Sequence, residues 1–197
     1  GWNINNLKVN PNLTGVELQR AQKILAAAKD IYTRGHSDRV SYYAGQLAAA
    51  LGKDPETCRQ IRLAGLFHDV GKMAIPDNIL LSSDKLTAEE FEVVRKHPEY
   101  GSSILSAISS FREIAPIVRS HHERIDGKGY PDGLSGTEIP ESARIISIAD
   151  TFDAMTSTRR YRPSMTFEEA LEKLAEVRDT QLDGRMVDVF LKMVRGL

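Results

Sequence analysis

Apolar positions recur at helical spacing through most of the chain, and no stretch alternates convincingly as a half-buried strand would. From Thr14 to about Arg34, the residues Val16, Leu18, Ile24, Leu25, Ala28 and Ile31 trace one stripe. A second helix is predicted over Ser37 to Leu51, stopped by Gly52. Pro55 opens a third, which runs through Ile61, Leu63, Leu66 and Phe67. Thr87-Ala88-Glu89-Glu90 has the form of a capping box, the reciprocal hydrogen bonding that starts a helix. Further helices are expected at about Pro98 to Ile108 and Phe111 to His122. Pro140 to Ser157 returns to helix, Thr166-Phe167-Glu168-Glu169 is a second capping box, and the last helix spans roughly Arg185 to Val194.

The segments between are polar or rich in chain breakers. Gly1 to Leu13, with its asparagines and Pro11, reads as a linker or entry strap. Met73 to Lys85 contains Pro76, Asp77 and Asn78 and reads as a loop. Ile125 to Pro140 holds Gly127, Gly129, Pro131, Gly133 and Gly136, a loop whose backbone needs freedom. The expected fold is a single all-α bundle over residues 14–197 with one long functional loop.

Composition narrows the function. With 197 residues and 41% hydrophobic content the chain can bury a core of its own. A net charge of -1 argues against a grip on a nucleic acid polymer, which calls for a basic surface. The single cysteine, Cys58, excludes an internal disulfide framework and a thiolate cluster, and fits a reducing cytoplasm. No apolar run approaches a membrane span, and no signal peptide is visible.

The stretch Phe67-His68-Asp69-Val70-Gly71-Lys72 is where chemistry concentrates. An adjacent His-Asp pair offers an imidazole nitrogen and a carboxylate able to bridge two cations. Lys72 follows His68 by four, which on a helix sets both on one face. The other histidines also fall in short polar clusters: His36, His97, and the pair His121-His122. Asp150 and Asp153 are three apart and share a helix face. Any one of these histidines is more simply read as a satisfied structural residue. All five together with the aspartates point to a metal site, and a sulfur-free donor set suits iron, manganese, zinc or nickel.

His36, His68-Asp69-Val70-Gly71-Lys72, His97-Pro98-Glu99, His121-His122-Glu123-Arg124 and Gly129-Tyr130-Pro131 together resemble the HD-GYP domain, a branch of the HD phosphohydrolase superfamily. The resemblance covers about Val16 to Val194. It implies hydrolysis of cyclic di-GMP to pGpG, with GMP as a further product, by a hydroxide bridging two metals. It implies two divalent transition-metal ions, iron first, with manganese, nickel and zinc as alternatives. One metal would be held by His36, His68, Asp69 and Asp150, and Asp69 would bridge to a second held by His97, His121 and His122. Lys72 would touch a substrate phosphate and serve catalysis with Asp69. Arg159 and Arg162 would bind phosphate, and Tyr130 would stand beside a guanine or shape the pocket. Asp153 is a candidate for assisting the leaving oxygen at the substrate, or for orienting a ligand. An upstream sensory or receiver domain and a homodimer are the partners such domains take.

Three departures stand out. Tyr32 occupies the place where some members carry a glutamate that supports a third metal, so two metals are expected. Arg160 replaces a usual proline, and Thr158 a common acidic residue. Two rival functions stay open: a cyclic di-GMP sensor without turnover, and a phosphohydrolase acting on another nucleotide or cyclic dinucleotide.

Overall fold

The computed structural model describes residues 34–82, 84–157 and 164–196. The strap, the helix predicted upstream of Arg34, Tyr32, and the four positions Thr158, Arg159, Arg160 and Arg162 lie outside the described residues. The α-helices run in the order α1 (Arg34–Ala50), α2 (Pro55–Phe67), α3 (Asp77–Leu80), α4 (Ala88–Val94), α5 (His97–Ser106), α6 (Ala115–Arg119), α7 (Glu141–Thr156), α8 (Phe167–Glu176) and α9 (Gly184–Arg195). Among the described residues there is no strand, only an isolated bridge between Arg178 and Leu182. No helix among them is long and apolar enough to cross a membrane.

Local chemistry sets several helix starts. Thr87 and Thr166 form both expected capping boxes, each hydroxyl accepting from the backbone N–H of Glu90 or Glu169 and each glutamate reaching back. Asp54 caps α2 by accepting from Glu56 and Thr57, and Asp183 caps α9 by accepting from Met186. Caps of this kind contribute about 1 kcal/mol each.

Three expectations need correction. The loop predicted over Met73 to Lys85 contains α3, started by Pro76 and Asp77 and closed by the Leu81 N–H on the Asp77 carbonyl. The helix predicted over Phe111 to His122 is broken into a 3-10 turn at Ser109–Phe111 and the short α6. Pro116 lacks an N–H and is tolerated only in the first turn of a helix, so α6 begins there anew. Finally, His68 and Lys72 do not share an α-helix. α2 ends at Phe67, and Val70–Ala74 winds as a 3-10 helix.

The core is built where α1, α2, α7, α8 and α9 meet. Phe152 packs edge-on against Tyr43, Phe167 and Phe190, with ring centroids 5.1, 5.8 and 5.2 Å away. Leu47, Ile61, Ile145, Ile146 and Ile148 are fully buried around this cluster. Each such side chain stabilises the fold by about 1.5–3 kcal/mol.

Two glycines bring the functional segments together. A Cβ on Gly65 would lie 3.1 Å from Ser41 Cα, so the α1 and α2 backbones nearly touch there. This crossing sets the first turn of α1 beside the end of α2. A Cβ on Gly71 would lie 1.9 Å from the His97 carbonyl oxygen, so only glycine lets the 3-10 turn rest on α5.

Candidate metal centre

Five stretches of chain converge on Asp69. His36 comes from the first turn of α1, His68 and Asp69 from the turn after α2, His97 from the head of α5, His121 and His122 from the turn after α6, and Asp150 from α7. Asp69 Oδ2 faces His68 Nε2 at 3.6 Å and His36 Nε2 at 3.9 Å, while its Oδ1 faces His97 Nε2 at 3.4 Å. Asp150 Oδ1 lies 3.3 Å from His36 Nε2 and 3.9 Å from His68 Nε2. Donor atoms of His36, His68 and Asp69 group within 4.8 Å of one another, and so do those of His97, His121 and His122. The two groups stand on either side of one carboxylate.

The imidazoles are locked with Nε2 inward. His68 Nδ1 lies 2.7 Å from the Gly65 carbonyl, His97 Nδ1 2.8 Å from Val94 and His121 Nδ1 2.6 Å from Val118. An Nδ1–H given to a carbonyl leaves Nε2 as a lone-pair acceptor in the neutral ring. Yet His97 Nε2 and His121 Nε2 are 3.4 Å apart. Two acceptors facing each other in a buried site lack a proton to share. A cation between them resolves the contact, so the donor set fits a metal on its own geometry.

Electrostatics agree. Burial pushes His97 down to about 4, and burial with the neighbouring His122, His68 and His97 holds His121 well below its usual range. His122 is lowered mainly by burial as well. These rings are neutral and available as ligands. Burial would raise Asp69, but the Lys72 ammonium beside it leads the charges that overcome burial and hold the carboxyl well below its usual range. Asp150 is likewise held ionised against burial, chiefly by its hydrogen bond with His36. His36 is the exception. Burial opposes its charge, but hydrogen bonds to Asp150 and Asp153 prevail and push it up to about 9.

Lys72 Nζ donates to Asp69 Oδ2 at 2.6 Å, so the 3-10 turn still sets the ammonium at the rim of the centre. Asp153 is placed behind His36 rather than in the cleft. It is 1% exposed and engages His36 and Arg39. Tyr130 packs on the His122 ring at 4.9 Å, and the Arg95 guanidinium lies 4.8 Å over the Tyr130 ring.

The glycine-rich loop is tied to this centre by a residue the motif reading left without a role. Glu123 is buried, and its Oε1 accepts from the backbone N–H groups of Asp132 at 2.7 Å and Gly133 at 3.1 Å. Arg119 grips Asp132 from outside with two contacts of 2.7 Å. The Tyr130 N–H donates to the His122 carbonyl at 3.2 Å, and the Tyr130–Pro131 peptide is cis. A recess of about 190 Å³ opens beside His122 and Asp150, walled by Tyr130, Arg124, Thr151 and Gln181.

Comparison with known proteins adds an independent line. A family model described as HD domain matches residues 19–186. The cyclic di-GMP phosphodiesterase response regulator RpfG of Xanthomonas campestris pv. campestris (strain 8004) is 42% identical over 166 residues, covering 83% of this chain and 44% of that protein. The 3'3'-cGAMP-specific phosphodiesterase 3 of Vibrio cholerae is 39% identical over 156 residues, covering 79% of this chain and 34% of that protein. This chain therefore spans less than half the length of either relative. Among solved structures, the HDGYP protein Bd1817 of Bdellovibrio bacteriovorus superposes with a TM-score of 0.68 at 25% identity, over 91% of this chain and 59% of that one.

Proposed function

Because this chain belongs to the HD domain family, in its HD-GYP branch, we propose that it hydrolyses a phosphodiester bond of a cyclic dinucleotide, cyclic di-GMP first. The observation that carries the reading is the division of Asp69, one oxygen toward His36 and His68 and the other toward His97. A metal pair bound there supplies an activated water and Lewis acidity toward the phosphoryl oxygens. Iron is the favoured pair, with manganese, nickel or zinc accepted by the same donors.

The chain's own groups then do the rest. The backbone carbonyls behind His68, His97 and His121 keep three rings aimed inward. Lys72 offers a positive charge beside Asp69, where charge grows on the phosphoryl oxygens as the bond to the ribose oxygen breaks. Tyr130, engaged by His122 and Arg95, shapes the wall of the recess. Arg159 and Arg162, a few residues past α7, are assigned to the substrate phosphates. Residues 14–197 act as one catalytic unit. The linear dinucleotide pGpG is the first product, with GMP after a second cleavage. A reducing cytoplasm is the setting that a lone cysteine fits, with an upstream sensory or receiver domain as the source of input.

A second substrate is favoured by the Vibrio cholerae relative named for 3'3'-cGAMP, which exchanges one guanine for adenine. The test is product analysis on protein loaded with a defined metal and offered cyclic di-GMP, 3'3'-cGAMP and cyclic di-AMP separately. Cyclic di-GMP should yield pGpG fastest. Faster cleavage of 3'3'-cGAMP would transfer the assignment to that substrate. Tight binding without any product would make the chain a sensor.

A further inference from the structure

His68, His97 and His121 all spend Nδ1–H in the same way, on the backbone carbonyl three residues earlier. His36 does otherwise. Its Nδ1 meets a carboxylate, Asp153 Oδ2, at 2.6 Å, and that carboxylate comes from α7, 117 residues away. Arg39, one turn after His36 on α1, takes the same carboxylate from the side. Its Nε donates to Asp153 Oδ1, and its Nη2 lies 3.1 Å from Oδ2. Ser157 completes the group, its hydroxyl 2.7 Å from Arg39 Nη2 and 3.1 Å from Asp153 Oδ2.

We infer that Asp153 and Arg39 form a positioning pair that sets the orientation and ligand strength of His36, making the two halves of the centre unequal. A carbonyl holds a ring by a neutral dipole. A carboxylate holds it with a full charge and sends electron density through the imidazole to Nε2, the atom that faces Asp69 and Asp150. That strengthens His36 as a ligand. A third carboxylate beside Asp69 and Asp150 would by itself crowd the region with negative charge. Arg39 offsets it while leaving the hydrogen bond to His36 in place. The His97 half has carbonyls only behind His97 and His121, so a change at Asp153 should be felt on one side.

A purely structural ion pair is the competing account: Arg39 and Asp153 would clamp α1 to α7 and nothing more. The two accounts differ in what metal binding does. The inference rests on the metal-centre reading, so the experiment must separate failure of the one from failure of the other.

The full chain is stripped with chelator and titrated with Mn²⁺ or Co²⁺ by calorimetry, with the visible spectrum of the cobalt form as a second readout. The wild-type chain should take up two ions with distinguishable affinities. Asp153→Asn keeps the shape and removes the charge. It should weaken one site by about 10- to 100-fold, the range for removing a partner behind a ligand, and leave the other within about twofold. His97→Ala should empty the opposite site, identifying which is which. Arg39→Met, at a side chain 46% exposed, should weaken the same site as Asp153→Asn, and Arg39→Lys should restore part of it. Circular dichroism checks folding, and the arginine variants carry the test if Asp153→Asn does not fold. Lower thermal stability with both affinities unchanged would overturn the pair and leave the structural clamp. A wild-type chain that takes up neither ion would overturn the metal centre, and this inference with it.

Discussion

His97 and His121 meet Nε2 to Nε2 at 3.4 Å, while each gives its other nitrogen to a carbonyl of its own turn. In the metal-free chain this contact sets two lone pairs against each other. Binding should therefore stabilise the fold measurably. An ion held at 100 times its dissociation constant adds about 2.7 kcal/mol. Thermal unfolding before and after chelation should show a lower midpoint in the stripped protein, recovered by Fe²⁺ or Mn²⁺. A midpoint indifferent to every divalent transition metal would contradict the site.

Asp69 is the group that serves both halves. Asp69→Asn retains the size but replaces the charged bridge by a neutral amide. It should deplete both sites and abolish hydrolysis while leaving the helical signal intact. His97→Ala should lower metal content by about one ion per chain, by ligand assignment. Elemental analysis of the two variants side by side checks the contrast. An Asp69→Asn protein holding two ions with normal turnover would be incompatible with the bridge.

Proton release should distinguish the two halves. The metal-free His36 is pushed up to about 9, because hydrogen bonds to Asp150 and Asp153 outweigh the burial that opposes its charge. Its protonated form stabilises the metal-free fold fully below the ordinary value of 6.5, and that contribution is lost as pH rises through about 9. A metal arriving at His36 near neutral pH must expel this proton, so affinity there should climb with pH. His97 is pushed down to about 4 by burial and is already neutral, so the other half should release none from it. Calorimetry in buffers of differing ionisation heat would count the protons. Zero release at both sites would refute the assignment.

Glu123 should matter for the loop before it matters for chemistry. Glu123→Ala leaves the Asp132 and Gly133 N–H groups without their acceptor, at a cost of about 1–3 kcal/mol. Urea unfolding should report that loss. Turnover should fall as Tyr130 is released from His122. Unchanged stability would mean that water replaces the carboxylate without penalty.

Much of this was legible from the sequence where the cause is local. Thr87 and Thr166 announce their helices because each cap closes within four residues. The three-residue spacing of Asp150 and Asp153 places both on one face of α7, from which both reach His36. What escaped depends on distant partners. Nothing in the sequence near His68 says that the turn after Phe67 comes to rest against α5, where the Gly71 backbone meets the His97 carbonyl. Arg39 has the right spacing from His36 to share a partner, but that partner lies 114 residues on. Glu123 was visible beside the histidine pair, and its role emerges only when the loop folds back over it.

The convergence of five segments on one point has a topological consequence. A chain with a single cysteine cannot tie its helices together covalently. A filled centre would do that work as a reversible cross-link, closing loops from α1 through α7. A cut in the glycine-rich loop would separate His36 through His122 from Asp150, yet both pieces would still grip the same ions. The nicked protein should stay associated through the core that Tyr43 and Phe152 share across the cut, and a chelator should lower the urea concentration at which its two pieces part.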